Sequence, residues 1–149
     1  YSNFMYLFDK SQGQLYKYQI FENSISSPTK WLKETKSNVK NLAIDGDVYF
    51  LLENGKLEIY SLGNKKGEIE LQIFPTPKTI SQIFTSRNHK YLYFLVDNNR
   101  LVLTEKSGVQ VKEYILKDIE KINDLFVEEN DGTIYILATN KIIKIYQNQ

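Results

Sequence analysis

An all-β fold assembled from repeated units of short antiparallel strands is predicted for this chain by three observations. A strand pattern centred on tyrosine recurs as Met5-Tyr6-Leu7-Phe8, Val48-Tyr49-Phe50-Leu51, Leu92-Tyr93-Phe94-Leu95 and Ile134-Tyr135-Ile136-Leu137, and its tyrosines lie 43, 44 and 42 residues apart. A second apolar column keeps the same period: Val39, Leu42 and Ile44 recur as Ile80 and Ile83, and again as Ile122, Leu125 and Val127. Turn-forming residues fall between the strands, at Asn54-Gly55, Asp45-Gly46-Asp47 and Asn130-Asp131-Gly132. A repeat of this length that holds several short strands is the signature of a β-propeller blade. The expectation is therefore a β-propeller of about four blades, each of four antiparallel strands, in one partial domain over 1–149. Its repeat units run approximately over 1–35, 36–78, 79–119 and 120–149.

The second unit shows the strands most clearly, with A at 39–44, B at 48–53, C at 56–61 and D at 68–74. Asn54-Gly55 accepts positive φ at both central turn positions and is expected to close a tight B–C hairpin. The B strands are apolar at consecutive positions, which predicts neighbours on both faces. The C strands alternate, Leu57 and Ile59 against Glu58 and Ile143 and Ile145 against Lys144, as expected nearer the solvent. The first unit lacks an A strand and the last stops after C at Tyr146, so the strands number three, four, four and three. Propellers close by completing the last blade with a strand from the other end of the ring. The chain, which opens on Tyr1 almost directly in a strand, is expected to be the C-terminal part of a six- to eight-bladed ring, with end blades open to self-association.

Composition narrows the functions. Nineteen Lys and Arg against eighteen Asp and Glu leave a formal charge of +1, too little field to gather nucleic acid. Absence of cysteine removes thiolate metal sites, disulfides and thiol nucleophiles. No apolar run approaches the ~18 residues of a membrane span.

The stretch Val96-Asp97-Asn98-Asn99-Arg100-Leu101-Val102-Leu103, followed by Lys106-Ser107-Gly108, resembles the NHL-type repeat, in which an Asn-Arg turn leads into a strand and then a Gly-containing turn. Ile44-Asp45-Gly46-Asp47-Val48-Tyr49 is similar to the element at the A–B turn of the same group. The fourth unit departs with Asn140-Lys141 and the first with Gln12-Gly13-Gln14. The whole also resembles the C-terminal propellers of bacterial proteins that carry an N-terminal effector domain and a membrane anchor. That resemblance implies an extracytoplasmic sensing or binding domain.

No catalytic set is legible. The single histidine, His89, sits in the polar turn Arg87-Asn88-His89-Lys90 and is expected to be solvated. The reading is a non-catalytic binding or scaffold module that takes a protein or small ligand on the face carrying the B–C turns and D–A connections. Glu53-Asn54 and Pro75-Thr76-Pro77-Lys78 belong to that face. The candidate binding residues there are Trp31, Lys33, Lys36, Asn99, Arg100 and Lys141, and alanine at Trp31 or Arg100 is expected to weaken binding without lowering stability. A rival reading uses Asn41, Gln82 and Asp124, one per A strand along the channel. Their oxygens would suit a divalent cation such as Ca²⁺ in a metal-dependent hydrolase resembling the lactonase propellers; the binding module needs no cofactor. A third reading is a structural half-ring that self-assembles. The tyrosine column is expected to pack between blades.

Overall fold

Short apolar runs punctuated by turn residues leave the chain little choice but to fold back on itself repeatedly. The computed structural model describes residues 1–119 and 121–147, which form four antiparallel sheets. The first holds β1 (Phe4–Asp9), β2 (Gln14–Gln19) and β3 (Thr29–Lys30). The second holds β4 (Val39–Ile44), β5 (Val48–Leu52), β6 (Leu57–Ser61) and β7 (Asn64–Ile69). The third holds β8 (Ile80–Phe84), β9 (Tyr91–Val96), β10 (Arg100–Glu105) and β11 (Gln110–Ile115), and the fourth β12 (Ile122–Val127), β13 (Thr133–Ala138) and β14 (Ile142–Tyr146). Strands pair with their neighbours in chain order, so each sheet is a meander. The first sheet begins at position B and the fourth ends at C, and each of the four tyrosines lies on a B strand.

Side chains alternate between the faces of a strand, and the sheets use both. From β5, Val48, Phe50 and Leu52 join Leu15 and Tyr60 between the first and second sheets. Tyr49 and Leu51 point the other way and pack with Leu57, Leu92, Phe94 and Val102 between the second and third. Tyr93, Leu95, Leu101 and Leu103 meet Leu125, Val127, Ile134 and Ile136 between the third and fourth. Each such side chain contributes about 1.5–3 kcal/mol by leaving water, so three inter-sheet cores hold four sheets together.

Several local expectations are corrected. The D strand of the second sheet is Asn64–Ile69, not 68–74, because Leu62 and Gly63, both at positive φ, close a two-residue hairpin that pairs Ser61 with Asn64. The apolar residues that suggested the later strand leave the sheet: Gln72 bridges Val109 of the third sheet, and Ile73 is buried in the core between sheets two and three. At Asn54-Gly55 only Gly55 takes positive φ, and Leu52 donates to Gly55's neighbour Lys56 O at 2.9 Å, so the loop is longer than a two-residue turn. Alternation holds in β14 but not in β6 or β10, where Glu58 and five consecutive residues, Arg100 to Thr104, are buried. A C strand with a sheet on either side is covered on both faces, whereas the outward side of the fourth sheet meets none.

Glu58 is tolerated inside because it is paired. Lys36 Nζ approaches its Oε2 to 2.7 Å, Lys65 Nζ its Oε1 to 2.8 Å, and the Tyr60 hydroxyl donates to Oε2 at 3.2 Å. Burial opposes the charge of Glu58, but the two lysines outweigh it and hold the carboxyl below the usual range. Burial together with the Glu58 charge pushes Tyr60 up to about 12.

Candidate functional site

The longest connection between sheets, from the end of β7 to the start of β8, contains two of the three prolines, Pro75 and Pro77, and runs wide of the sheet edge. Between it and the β5–β6 turn opens a cleft of about 830 Å³. Ile73 and Ile80, both buried, form its floor with the half-buried Ile69 and Leu71. Lys40, Lys56 and Lys78 stand on its rim with Glu53, Glu68 and Glu70. Lys56 lies 3.9 Å from Glu68, which Lys65 approaches more closely at 2.7 Å. Among the described residues, Lys40 and Lys78 form no ion pair.

The third sheet fixes the walls. Asp97 Oδ1 accepts the backbone N–H groups of Lys78 and Thr79 at 2.8 and 3.0 Å. Gln110 Oε1 accepts the N–H of Phe74 at 2.7 Å. The Arg100 guanidinium donates to the carbonyls of Phe74 and Pro75, to Asp97 and twice to Glu113. On the opposite wall Gln72 N–H donates to Gly108 O at 2.9 Å, and Gly108 lies against Glu70 O and Ile69. The same contact occurs one sheet earlier, where Lys33 N–H donates to Gly63 O at 3.1 Å. A glycine in the C–D turn thus receives the chain leaving the preceding sheet.

Burial opposes the charge of Asp97, but the N–H groups of Thr79 and Lys78 and the Arg100 guanidinium outweigh it and keep its carboxyl below the ordinary range. Folding therefore lowers the pKa of Asp97, as it does that of Glu58, and in acid the unfolded chain takes up protons more readily than the folded one. The resulting stabilisation is complete above the ordinary carboxylate pKa of about 4 and is lost as pH falls through the folded values. The urea midpoint is expected to stay level from pH 7 to about 5 and to drop below about 4. Asp97→Asn should lower the midpoint at pH 7 and flatten part of that acid slope; an unchanged slope would remove Asp97 from the account.

None of the six candidate binding residues lines the large cleft. Trp31 is half-buried, edge-on to Tyr6 at 6.3 Å between ring centroids, and its N–H donates to Leu15 O. Lys33 has an exposed side chain beside the Gly63 contact, and Lys36 is the inter-sheet partner of Glu58. Asn99 is half-buried, its carbonyl accepting from Leu116 N–H at 2.8 Å. Arg100 is buried, and its guanidinium donors are all directed to protein oxygens, which corrects its reading as a ligand contact. Lys141 lines a separate cavity of about 320 Å³ with Asp118, Ile119, Lys121 and Asn140. What the sequence offered toward the cleft was the proline-rich connection, named as part of the face without its neighbours Lys40, Ile73 and Ile80.

The channel column joins sheets. Asn41 Oδ1 accepts the N–H of Ile83 at 3.0 Å, and Gln82 Nε2 donates to Asp124 Oδ1, which also accepts Leu125 N–H at 2.8 Å. Among the described residues no group of three His, Cys, Asp or Glu side chains is placed to hold a metal ion. His89 is buried, not solvated. Its Nε2 lies 2.9 Å from Glu128 O in the fourth sheet's A–B connection and its Nδ1 3.2 Å from Ser86 Oγ, between the rings of Phe84 and Tyr93. Its turn folds inward because the fourth sheet supplies an acceptor there. The tyrosine hydroxyls reach turn carboxylates: Tyr49 donates to Asp45 within its sheet, Tyr93 to Asp131 of the next sheet, and Tyr135 to Glu128.

Four antiparallel meanders packed face to face in succession make this a propeller-like all-β protein. Solved structures agree. The crystal structure of Myxococcus xanthus glutaminyl cyclase matches with a TM-score of 0.70 at 11% identity, over 98% of this chain and 70% of that one. The computationally designed Ika4 protein matches at 0.62 and 12% identity, over 99% of this chain and 88% of that one. At such identities the likeness shows the fold, and the cyclase activity is a statement about the first protein alone. No protein-family model matches the chain, and no curated protein does. Among the described residues no helix is long and apolar enough to cross a membrane.

Proposed function

We propose that this chain is an arc of four propeller blades from a ring of six to eight, and that it works as a non-catalytic binding module whose ligand lies in the cleft between Glu53 and Ile80. The observation that carries this reading is the cleft itself: an apolar floor, walls tied down by Asp97, Arg100 and Gly108, and rim lysines not drawn into ion pairs. Its volume lies in the range of binding pockets, and an apolar floor with a few placed polar groups is how such pockets combine affinity with orientation. Rim charges of both signs favour a peptide or protein loop that seats one apolar side chain and carries acidic residues opposite Lys40 and Lys78. The only histidine is enclosed in packing, and the channel column is engaged between strands, so neither supports a hydrolase.

A displayed random-peptide library selected on the immobilised chain tests the reading. Selected peptides are expected to lose at least about tenfold in affinity, some 1.4 kcal/mol, against the double variant Lys40→Glu/Lys78→Glu and to keep it against Lys141→Glu. Both variants alter surface side chains, so their thermal unfolding should match the parent. Peptides indifferent to the double variant would remove the cleft as the site.

A further inference from the structure

The repeat assigns each strand position a direction as well as a place. In β5 and β9, Val48, Phe50, Leu92 and Phe94 face the preceding sheet and Leu51 and Leu95 the following one. The register pairs Leu51 with Leu57 and Leu95 with Leu101, all at most 2% exposed. The same columns in the first sheet place Met5 and Leu7 toward a preceding sheet, and those in the fourth place Leu137, paired with Ile142, toward a following one. There they lie open: Leu7 is 54% exposed, Leu137 45% and Ile142 66%. Tyr16 and Tyr18, paired with Leu7 and Met5, extend the first surface, and Phe126 extends the second.

These are the two unlike halves of one interface that the chain builds three times internally. Apolar surfaces of this kind mark association sites, and a surface matched to a different surface of the same molecule associates head to tail. From this we infer that two copies of the chain associate head to tail, the outward face of the fourth sheet of each packing on the outward face of the first sheet of the other, to close a two-fold ring of eight sheets. A second copy is the occupant because it carries the matching half at the same repeat columns that bury Phe50 against Leu15 and Phe94 against Leu51. The inference is independent of the cleft.

Light scattering on the full chain tests it. The expected mass is twice the chain's 17.5 kDa, falling to that of a single chain in Leu7→Glu and equally in Leu137→Glu, with circular dichroism unchanged because both side chains are exposed. Mixing the two variants leaves one unmodified joint per pair and should restore dimer, at an affinity at least tenfold below the parent. A monomeric parent at about 100 μM, a dimer that survives either single substitution, or a mass that grows past two copies would each overturn the head-to-tail ring. The second result would point to like faces or open strand edges pairing instead.

Discussion

Arg100→Ala is expected to lower the unfolding free energy by about 2–4 kcal/mol, read as a reduced urea midpoint at unchanged slope. The guanidinium is buried, and five donor contacts reach two backbone carbonyls and two carboxylates. Its removal strands the carbonyls of Phe74 and Pro75 and leaves Asp97 and Glu113 facing each other's charge without a counterion. Both carboxylates keep some exposure to water, which places the effect below the upper limit for a fully buried pair. Because Arg100 and Asp97 pin the same wall, hydrogen exchange at Lys78 and Thr79 should accelerate more than at the Leu92–Val96 amides. A loss under about 0.5 kcal/mol would mean that the connection holds its shape without the clamp. Lysine at this position should not restore it, because one ammonium cannot span the four oxygen-bearing groups that the planar fork reaches.

Gly108→Ala should cost more, about 3 kcal/mol or above. At φ +96° a side chain is strained before any neighbour is considered, and a Cβ there would lie 2.5 Å from Glu70 O and 2.6 Å from Ile69 Cγ2. The carbonyl is main chain and belongs to the cleft wall, so relief requires the wall to move. Gly55→Ala is the matched control: φ is also positive, at +81°, yet nothing lies within 4 Å of the added carbon. It should cost only about 1 kcal/mol. The difference between the two midpoints isolates the contact between sheets, and equal losses would reduce the role of Gly108 to its own turn.

Where the chain reverses was readable from local chemistry. The tyrosine column, the consecutive apolar residues of β5 and the Asp45-Gly46-Asp47 turn are each a property of a few adjacent residues, and the three-four-four-three strand pattern follows from them. The reading slipped where local signals competed. At 62–69 the apolar residues Ile69, Leu71 and Ile73 suggested a late strand, but the Leu62-Gly63 hairpin had already set an earlier register. It slipped again where polarity was taken for exposure: Glu58, His89 and Arg100 are buried, and each finds its counter-groups in segments distant along the chain.

The amino-acid sequence by itself determined the repeat, the strand count and the two-sided burial of the B strands, because alternation and turn preference act within about ten residues. Only the tertiary structure decided which polar residues became fasteners and where a cleft remained. Arg100 could have met a ligand on any isolated hairpin; packed beside the proline connection, it meets Phe74 O and Pro75 O first. The cleft exists because the Glu70–Thr79 connection is held away from the β5–β6 turn by groups of the next sheet. Distances between sheets arise from summed packing, and a one-dimensional pattern does not contain them.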